Sequence, residues 1–465
     1  MSAFGAVALF YWLGQTPVEV IVPNVPGMDG RPAALPVRDS VRIGTIFENG
    51  PGKPSRLPGA WPSFRGADFA NIATPSAPLA ETWPSNGPPV RWAVDLGEGY
   101  AAPAVRDGRV YVLDYDESLK ADMLRCLSLD DGRELWRRGY TVQIKRNHGL
   151  SRTIPAISDR CVVTIGPRAH TMCVEAESGR FLWGIDMERR FGTRVPDWYT
   201  GQCPLIDGNI AVLAPCGTNV FMLGVDLATG VTVWQTPSSG EWKMSHSSIV
   251  PGTILGRRMY VYAAVGGLVG VAADGPDRGR VLWQTAEWRA PVIAPAPVIL
   301  PDGRIFVTAG YGAGGMVFKV AREEESFTVT VVRKFGPRDG LACEQQTPVY
   351  DQGRLFGVLT KDSGANRTQF ACADHDGAIL WTSGKDTRFG FGPFMVAGDR
   401  FLILDDDGVL TMARVDAERF LPMARARVLA GTDSWGPMAL AGTRLLLRDS
   451  RRMICLELGE TEENL

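Results

Sequence analysis

Gly208-Asn-Ile-Ala-Val-Leu-Ala-Pro215, Val220-Phe-Met-Leu-Gly-Val-Asp226 and Leu227-Ala-Thr-Gly-Val-Thr-Val-Trp234 form one continuous grammar. Two apolar runs are followed by a turn and a third strand that ends on Trp234. The turn is signalled by Asp226 and Thr229-Gly230, since glycine takes a positive φ at no steric cost. A fourth, inner strand precedes these three, at Gln202-Cys203-Pro204-Leu205-Ile206. One such unit cannot close a core alone, so its meaning depends on recurrence.

It recurs with a period of about 45 residues, the signature of stacked or radial architecture. The units run Ala101 to Trp136, Thr153 to Trp183, the opening stretch to Trp234, and Ser247 to Trp283. They continue as Ala294 to Phe335, Thr347 to Trp381, Pro393 to Leu429 and Pro437 to Leu458. The fifth replaces the tryptophan strand with Thr328-Val-Thr-Val-Val, and the last strand of the seventh is degenerate. The eighth stops one strand short, while Val90 to Leu96 stands before the first unit as an orphan strand of the tryptophan type. If that strand completes the last unit, the ring closes and no sheet edge is left open between the ends. The expectation is an all-β, eight-bladed β-propeller of four-stranded antiparallel blades, closed by an N-terminal strand. A linear solenoid would need capping repeats, and none is visible.

Composition agrees. The 465 residues carry net charge -2, which gives no electrostatic case for nucleic acid. The 13 tryptophans and many glycine turn pairs fit a repetitive β protein better than a helical one. Cys126, Cys173, Cys372 and Cys455 share one phase of the repeat and read as small buried side chains, unpaired with each other. Cys203 and Cys216 flank one hairpin with unmatched offsets, so a disulfide is not expected there. No Cys-x-x-Cys or zinc spacing occurs.

Residues 1–22 are apolar, with Ala3 to Leu13 only half the roughly 20 residues a span needs. The end of an anchor, a signal segment or a packed strand all remain open, with membrane association through the N-terminus the favoured expectation. Residues 23–89 are rich in Pro and Gly and read as an extended arm. Within it, Trp61-Pro-Ser-Phe-Arg-Gly66 is aromatic enough to pack on the outside or one face of the body. The propeller is expected over 90–459, and an acidic tail over 460–465.

The recurring Gly-Arg-x-Tyr/Phe-Val and Asp-x-x-Thr/Asp-Gly-x-x-x-Trp, as in Asp226 to Trp234 and Asp374 to Trp381, resemble the PQQ-like (quinoprotein-type) propeller repeat. The likeness covers about residues 90 to 459. The arm motif followed by Gly-Pro-Pro-Val-Arg-Trp92 is similar to PQQ-like repeat proteins common in planctomycetes. The resemblance implies either cofactor-free envelope scaffolds of the BamB type or PQQ-dependent alcohol dehydrogenases. The latter would bring PQQ with Ca²⁺, a vicinal Cys-Cys, a stacking tryptophan and a Glu-Asn-Asp constellation. No adjacent cysteines and no Cys-x-x-Cys-His are present.

In a propeller the innermost strands line the channel, and the loops leading into them form one rim. That rim gathers Gly99-Tyr100, His148 to Thr153, Trp198 to Gln202, Trp242 to Ser247, Pro291 to Pro295, Glu344 to Thr347, Arg388 to Gly390 and Ser434 to Gly436. The candidate site comprises His148, Arg152, Trp198, Gln202, Lys243, His246, Glu344, Gln345, Arg388 and Trp435, suited to an anionic or planar ligand. Mutual satisfaction of these polar groups around a narrow channel is the competing reading. His170 and His375 fall in hairpins or turns, where solvated side chains are expected. Asp405-Asp-Asp-Gly408 reads as a tight hairpin rather than a metal loop, and Gly310 to Gly315 leads into no helix that would hold phosphate. No catalytic or metal-binding residue is assigned. The leading expectation is a non-catalytic propeller of the periplasm or cell envelope, anchored to the inner membrane through its N-terminus and binding envelope or membrane protein partners. A quinoprotein-type oxidoreductase and a small-ligand or glycan binder are the alternatives.

Overall fold

The computed structural model describes residues 40–431 and 433–460 of the chain. The apolar segment, the start of the arm and most of the acidic tail lie outside the described residues. The eight units are eight antiparallel sheets, each a meander of four strands. Blade 1 uses Ala104–Arg106, Arg109–Asp116, Ala121–Ser128 and Glu134–Thr141 from inside to outside. Blade 8 uses Ala439–Ala441, Arg444–Arg448 and Arg452–Glu457, and takes Val90–Asp95 as its outer strand. Ring closure is therefore as the repeat count requires, with Trp92 opposite Cys455 and Asp95 opposite Arg452.

The tryptophan and glycine of the repeat meet between neighbouring blades. Trp183 of blade 2 lies against the turn of blade 3, where Gly230 has φ 73° and a Cβ would stand 2.6 Å from the indole. Trp183 Nε1 donates to Leu227 O of that turn at 2.8 Å. Trp136 does the same at Gly179 and Glu177 O, and Trp92 at Gly132 and Leu129 O, which carries the contact across the closure. Asp226 Oδ1 shapes the turn by accepting from Ala228 N and Thr229 N at 3.1 and 2.9 Å.

The third-strand residue opposite each tryptophan is small. Cys126 faces Trp136, Cys173 faces Trp183, Cys372 faces Trp381, and glycines 224 and 270 face Trp234 and Trp283. The ladder slips at that position in every blade, including blade 5 at Val317/Phe318 and blade 7 at Met412/Ala413, which lack the tryptophan. A bulge there adds twist to the outer strand. All eight cysteines are free and buried. The degenerate seventh unit still forms its outer strand, Leu421–Arg427.

Residues 42–89 follow the body closely. Ile46–Asn49 joins blade 1 as a fifth, outermost strand. The chain then crosses the turn between the first two strands of blade 1, with Ser55 N bonded to Gly108 O. Trp61 bridges Val105 of the inner strand of blade 1, and Pro62 O accepts from Ile157 N of blade 2. Ile72–Ala73 leaves in parallel with Phe394–Ala397, the inner strand of blade 7. Residues 61–73 thus contact blades 1, 2, 6 and 7 at or just before their innermost strands, and Phe64, Arg65 and Asn71 line the central cavity.

Candidate functional site

At the centre of the ring is a cup of about 320 Å³, with Phe64, Arg65 and Asn71 of the arm in its lining. All eight connections between blades contribute to its wall. The structure brings together His148, Arg152, Trp198, His246, Glu344, Gln345 and Trp435 of the expected residues. The other three point elsewhere. Gln202 is fully buried and bonds Ala214 through both its oxygen and its nitrogen, so it braces blade 3. Lys243 is exposed beside a backbone bridge to Val265, and Arg388 donates to Arg367 O.

Two aromatic pairs define the wall. Tyr100 stacks on Trp435 at 5.2 Å between centroids, and Trp198 stacks on Tyr311 at 6.0 Å. Trp435 is aimed by Asp406, whose Oδ1 accepts from the indole Nε1 and from Phe391 N, each at 2.8 Å. Burial pushes the Asp406 carboxyl up. Asp405 Oδ1 meanwhile accepts from Asp407 N and Val409 N, which makes the acidic run a hairpin as expected. Arg152 lies 5.2 Å over the Tyr100 ring and donates from Nε to Trp198 O at 2.5 Å. Burial lowers its pKa. His246 is pushed down to about 4, chiefly by burial and then by Arg152, so it is neutral at physiological pH. Glu344 is 4% exposed; Oε2 accepts from Thr360 Oγ1 at 2.8 Å and Oε1 faces Lys361 Nζ at 3.4 Å.

Other residues of the cup lie outside the expected rim. Tyr311 and Lys361 come from hairpins between the second and third strands. A meander puts those hairpins on the same face as the connections between blades, and that alternation was the available signal. Arg65 and Asn71 come from the arm and form the floor with Phe64. No periodicity announces such a contact; Arg65 bonds residues 282 and 283 positions away. His170 is also placed differently from expectation. It is 3% exposed, edge-on to Tyr140 at 5.3 Å and 3.6 Å from Asp186, because it opens a third strand rather than a loop. His375 is exposed, in the turn where it was expected.

Backbone strain concentrates here. Among the described residues, 16 non-glycine residues have positive φ, and five of them line the cup: Arg65, Asn71, His148, Trp198 and Tyr311. Such conformations cost about 1–3 kcal/mol each and persist where the surroundings enforce them, often at binding sites.

Eight closed four-stranded blades make the fold an eight-bladed β-propeller. A family model described as outer membrane protein assembly factor BamB matches residues 120–336. The crystal structure of BamB from Moraxella catarrhalis is similar with TM-score 0.52 and 13% identity, covering 78% of this chain and 98% of that one. The quinohemoprotein alcohol dehydrogenase ADHIIG from Pseudomonas putida HK5 is similar with TM-score 0.57 and 12% identity, covering 88% and 82%. A computationally designed protein, Ika8, reaches TM-score 0.53 at 10% identity, covering 79% and 99%. At these identities the likeness is one of fold. No curated protein matches the sequence.

Proposed function

We propose that the chain is a small-ligand-binding propeller whose site is the central cup. The observation that carries this reading is a central cup lined in part by the chain's own arm, with residues of strained backbone gathered on its wall. Its volume of about 320 Å³ is that of a small-molecule pocket, and its stacked aromatics offer apolar area beside a few fixed polar groups. The test is titration with the neutral fluorophore N-phenyl-1-naphthylamine. A saturable one-to-one signal that Ala294→Trp removes by filling the cup supports the reading; no saturable signal from the native protein sinks it.

A second reading, a protein-binding scaffold of the periplasm or envelope, is favoured by the family-model match over residues 120–336. Crosslinking in envelope fractions tests it, and a strictly monomeric, partner-free protein counts against it. A quinone with Ca²⁺ fits the cup less well. Among the described residues Glu344 is its only lining carboxylate; Oε2 accepts from Thr360, and Oε1, which has no hydrogen-bond partner, faces Lys361 as its counter-charge. Among the described residues no group of three His, Cys, Asp or Glu side chains is arranged for a metal. Likewise no helix among them is long and apolar enough to cross a membrane.

A further inference from the structure

We propose that Arg65, carried into the cup by the arm, seats the anionic group of a small organic anion, and that binding is coupled to docking of the arm. This rests on the cup being a ligand site. Arg65 is 8% exposed and lines the floor. Nε donates to Phe69 O at 2.8 Å, Nη2 to Ala70 O and Pro348 O at 3.0 Å each, and Nη1 to Thr347 O at 2.9 Å. A guanidinium has five N–H groups. Four are taken by carbonyls, and one on Nη1 is left for a ligand.

Carbonyls orient the cation but carry no formal charge to neutralise it. Among the described residues no carboxylate forms an ion pair with Arg65; the nearest one acting on it, Asp68, is exposed in the same loop. Burial lowers the guanidinium to about 9, which leaves it charged at neutral pH. Arg152 repeats the pattern. Its Nε and Nη2 donate to carbonyls of Trp198, Asn147 and His148, and among the described residues Nη1 has no protein acceptor. The lining charges are therefore three cations, Arg65, Arg152 and Lys361, against Glu344, on a chain of net charge -2. Lys361 is paired with Glu344, so the two arginines are the cations without counter-charge. A desolvated cation is costly until an anion completes it, and hydrogen bonds between charged partners are the stronger kind.

The same guanidinium pins the arm. Two of its bonds hold the arm's own loop and two hold the segment leading into the inner strand of blade 6, so an anion at Nη1 stabilises the docked arm. Coupling of this kind is reciprocal: a docked arm favours the anion to the same extent.

The experiment compares 8-anilinonaphthalene-1-sulfonate with neutral N-phenyl-1-naphthylamine on the full chain, with amide hydrogen exchange over residues 63–73. The anionic dye is expected to bind at least about tenfold tighter, the scale of one charged hydrogen bond. It should slow exchange in that segment, where the neutral dye does not. Arg65→Met should bring the two affinities together, and Arg65→Lys should restore part of the preference. Displacement by benzoate or by phenyl phosphate then separates carboxylate from phosphate ligands. Equal affinities in the native protein, or an anion preference that survives Arg65→Met, overturn the proposal while leaving the cup reading intact. Should Arg65→Met lose both dyes, Arg65→Lys decides: recovery of the anion preference upholds the proposal and its failure overturns it. Binding of neither dye to the native protein removes the cup reading itself.

Discussion

Asp122 is the buried acid most displaced from its ordinary behaviour. It is 1% exposed between blades 1 and 2, and Tyr140 Oη donates to its Oδ2 at 2.7 Å. Burial raises its pKa from 3.8 to about 7, Tyr140 and His170 pull it down, and Asp114 pushes it further up. Burial works against the Asp186 carboxylate, but His170 at 3.6 Å and the Arg189 N–H together hold it below its ordinary value. The folded chain therefore keeps the Asp122 proton after the unfolded chain has lost it. The resulting stabilisation is full below about pH 4 and is lost as pH rises towards 7. Asp122→Asn, which mimics the protonated acid, should flatten this fall. Urea unfolding at about pH 5 and about pH 7.5 reads it; a variant that loses as much stability as the native protein over that interval refutes the assignment. The sequence did not disclose this cluster. His170 looked like a turn residue because its neighbours Arg168 and Ala169 are loop-like, and only the pairing of blade 2 puts it in a strand.

At the scale of the element, the repeat is legible because one physical contact makes it. Gly230 must lack a Cβ where Trp183 lies against it, so Gly and Trp recur together even though they pair across blades rather than within one. Gly208 makes the comparison that isolates this contact. Both glycines have positive φ, 73° and 61°, but nothing lies within 4 Å of a Cβ at Gly208. Gly208→Ala should cost about 1–2 kcal/mol from backbone conformation alone. Gly230→Ala should add about 1–3 kcal/mol of overpacking against the indole. Thermal unfolding of the two variants measures the difference, and equal losses would show that the tryptophan contact carries no energy. The same contact tells why the strands were readable and the bulges were not. Apolar runs and turns leave marks in composition, whereas the slip beside Cys126 or Gly224 is visible only once the strand partners are known. The rim divides likewise: loops leading into inner strands were legible by position, while Tyr311 and Lys361 needed the face on which hairpins emerge.

For the whole molecule, the question is whether the arm is part of the core or a clasp laid over a finished ring. Closure depends on Val90–Asp95 against Arg452–Glu457, which lies after the arm in sequence. The arm itself contributes Trp61, Ala73 and Leu79 to the cluster under blades 1, 7 and 8, all buried. Its remaining ties are two short added strands, backbone bonds to turns, and side-chain bonds, chief among them Arg65 to Thr347 O and Pro348 O and Asn71 to Phe394 O. A chain beginning at Ser85 therefore keeps every one of the eight four-stranded blades and loses only the two added strands and the floor. It should keep a β-type far-ultraviolet circular dichroism spectrum and unfold cooperatively at lower temperature, because it loses the apolar area that Trp61, Ala73 and Leu79 bury in one cluster and that Phe69 and Ile72 cover on two others. Its channel should run open from face to face, so that even the neutral naphthylamine dye is no longer retained at one site. Circular dichroism with dye titration distinguishes the cases. A truncated chain without cooperative unfolding would make the arm core, and one that binds the dye unchanged would show that the cup does not need its floor.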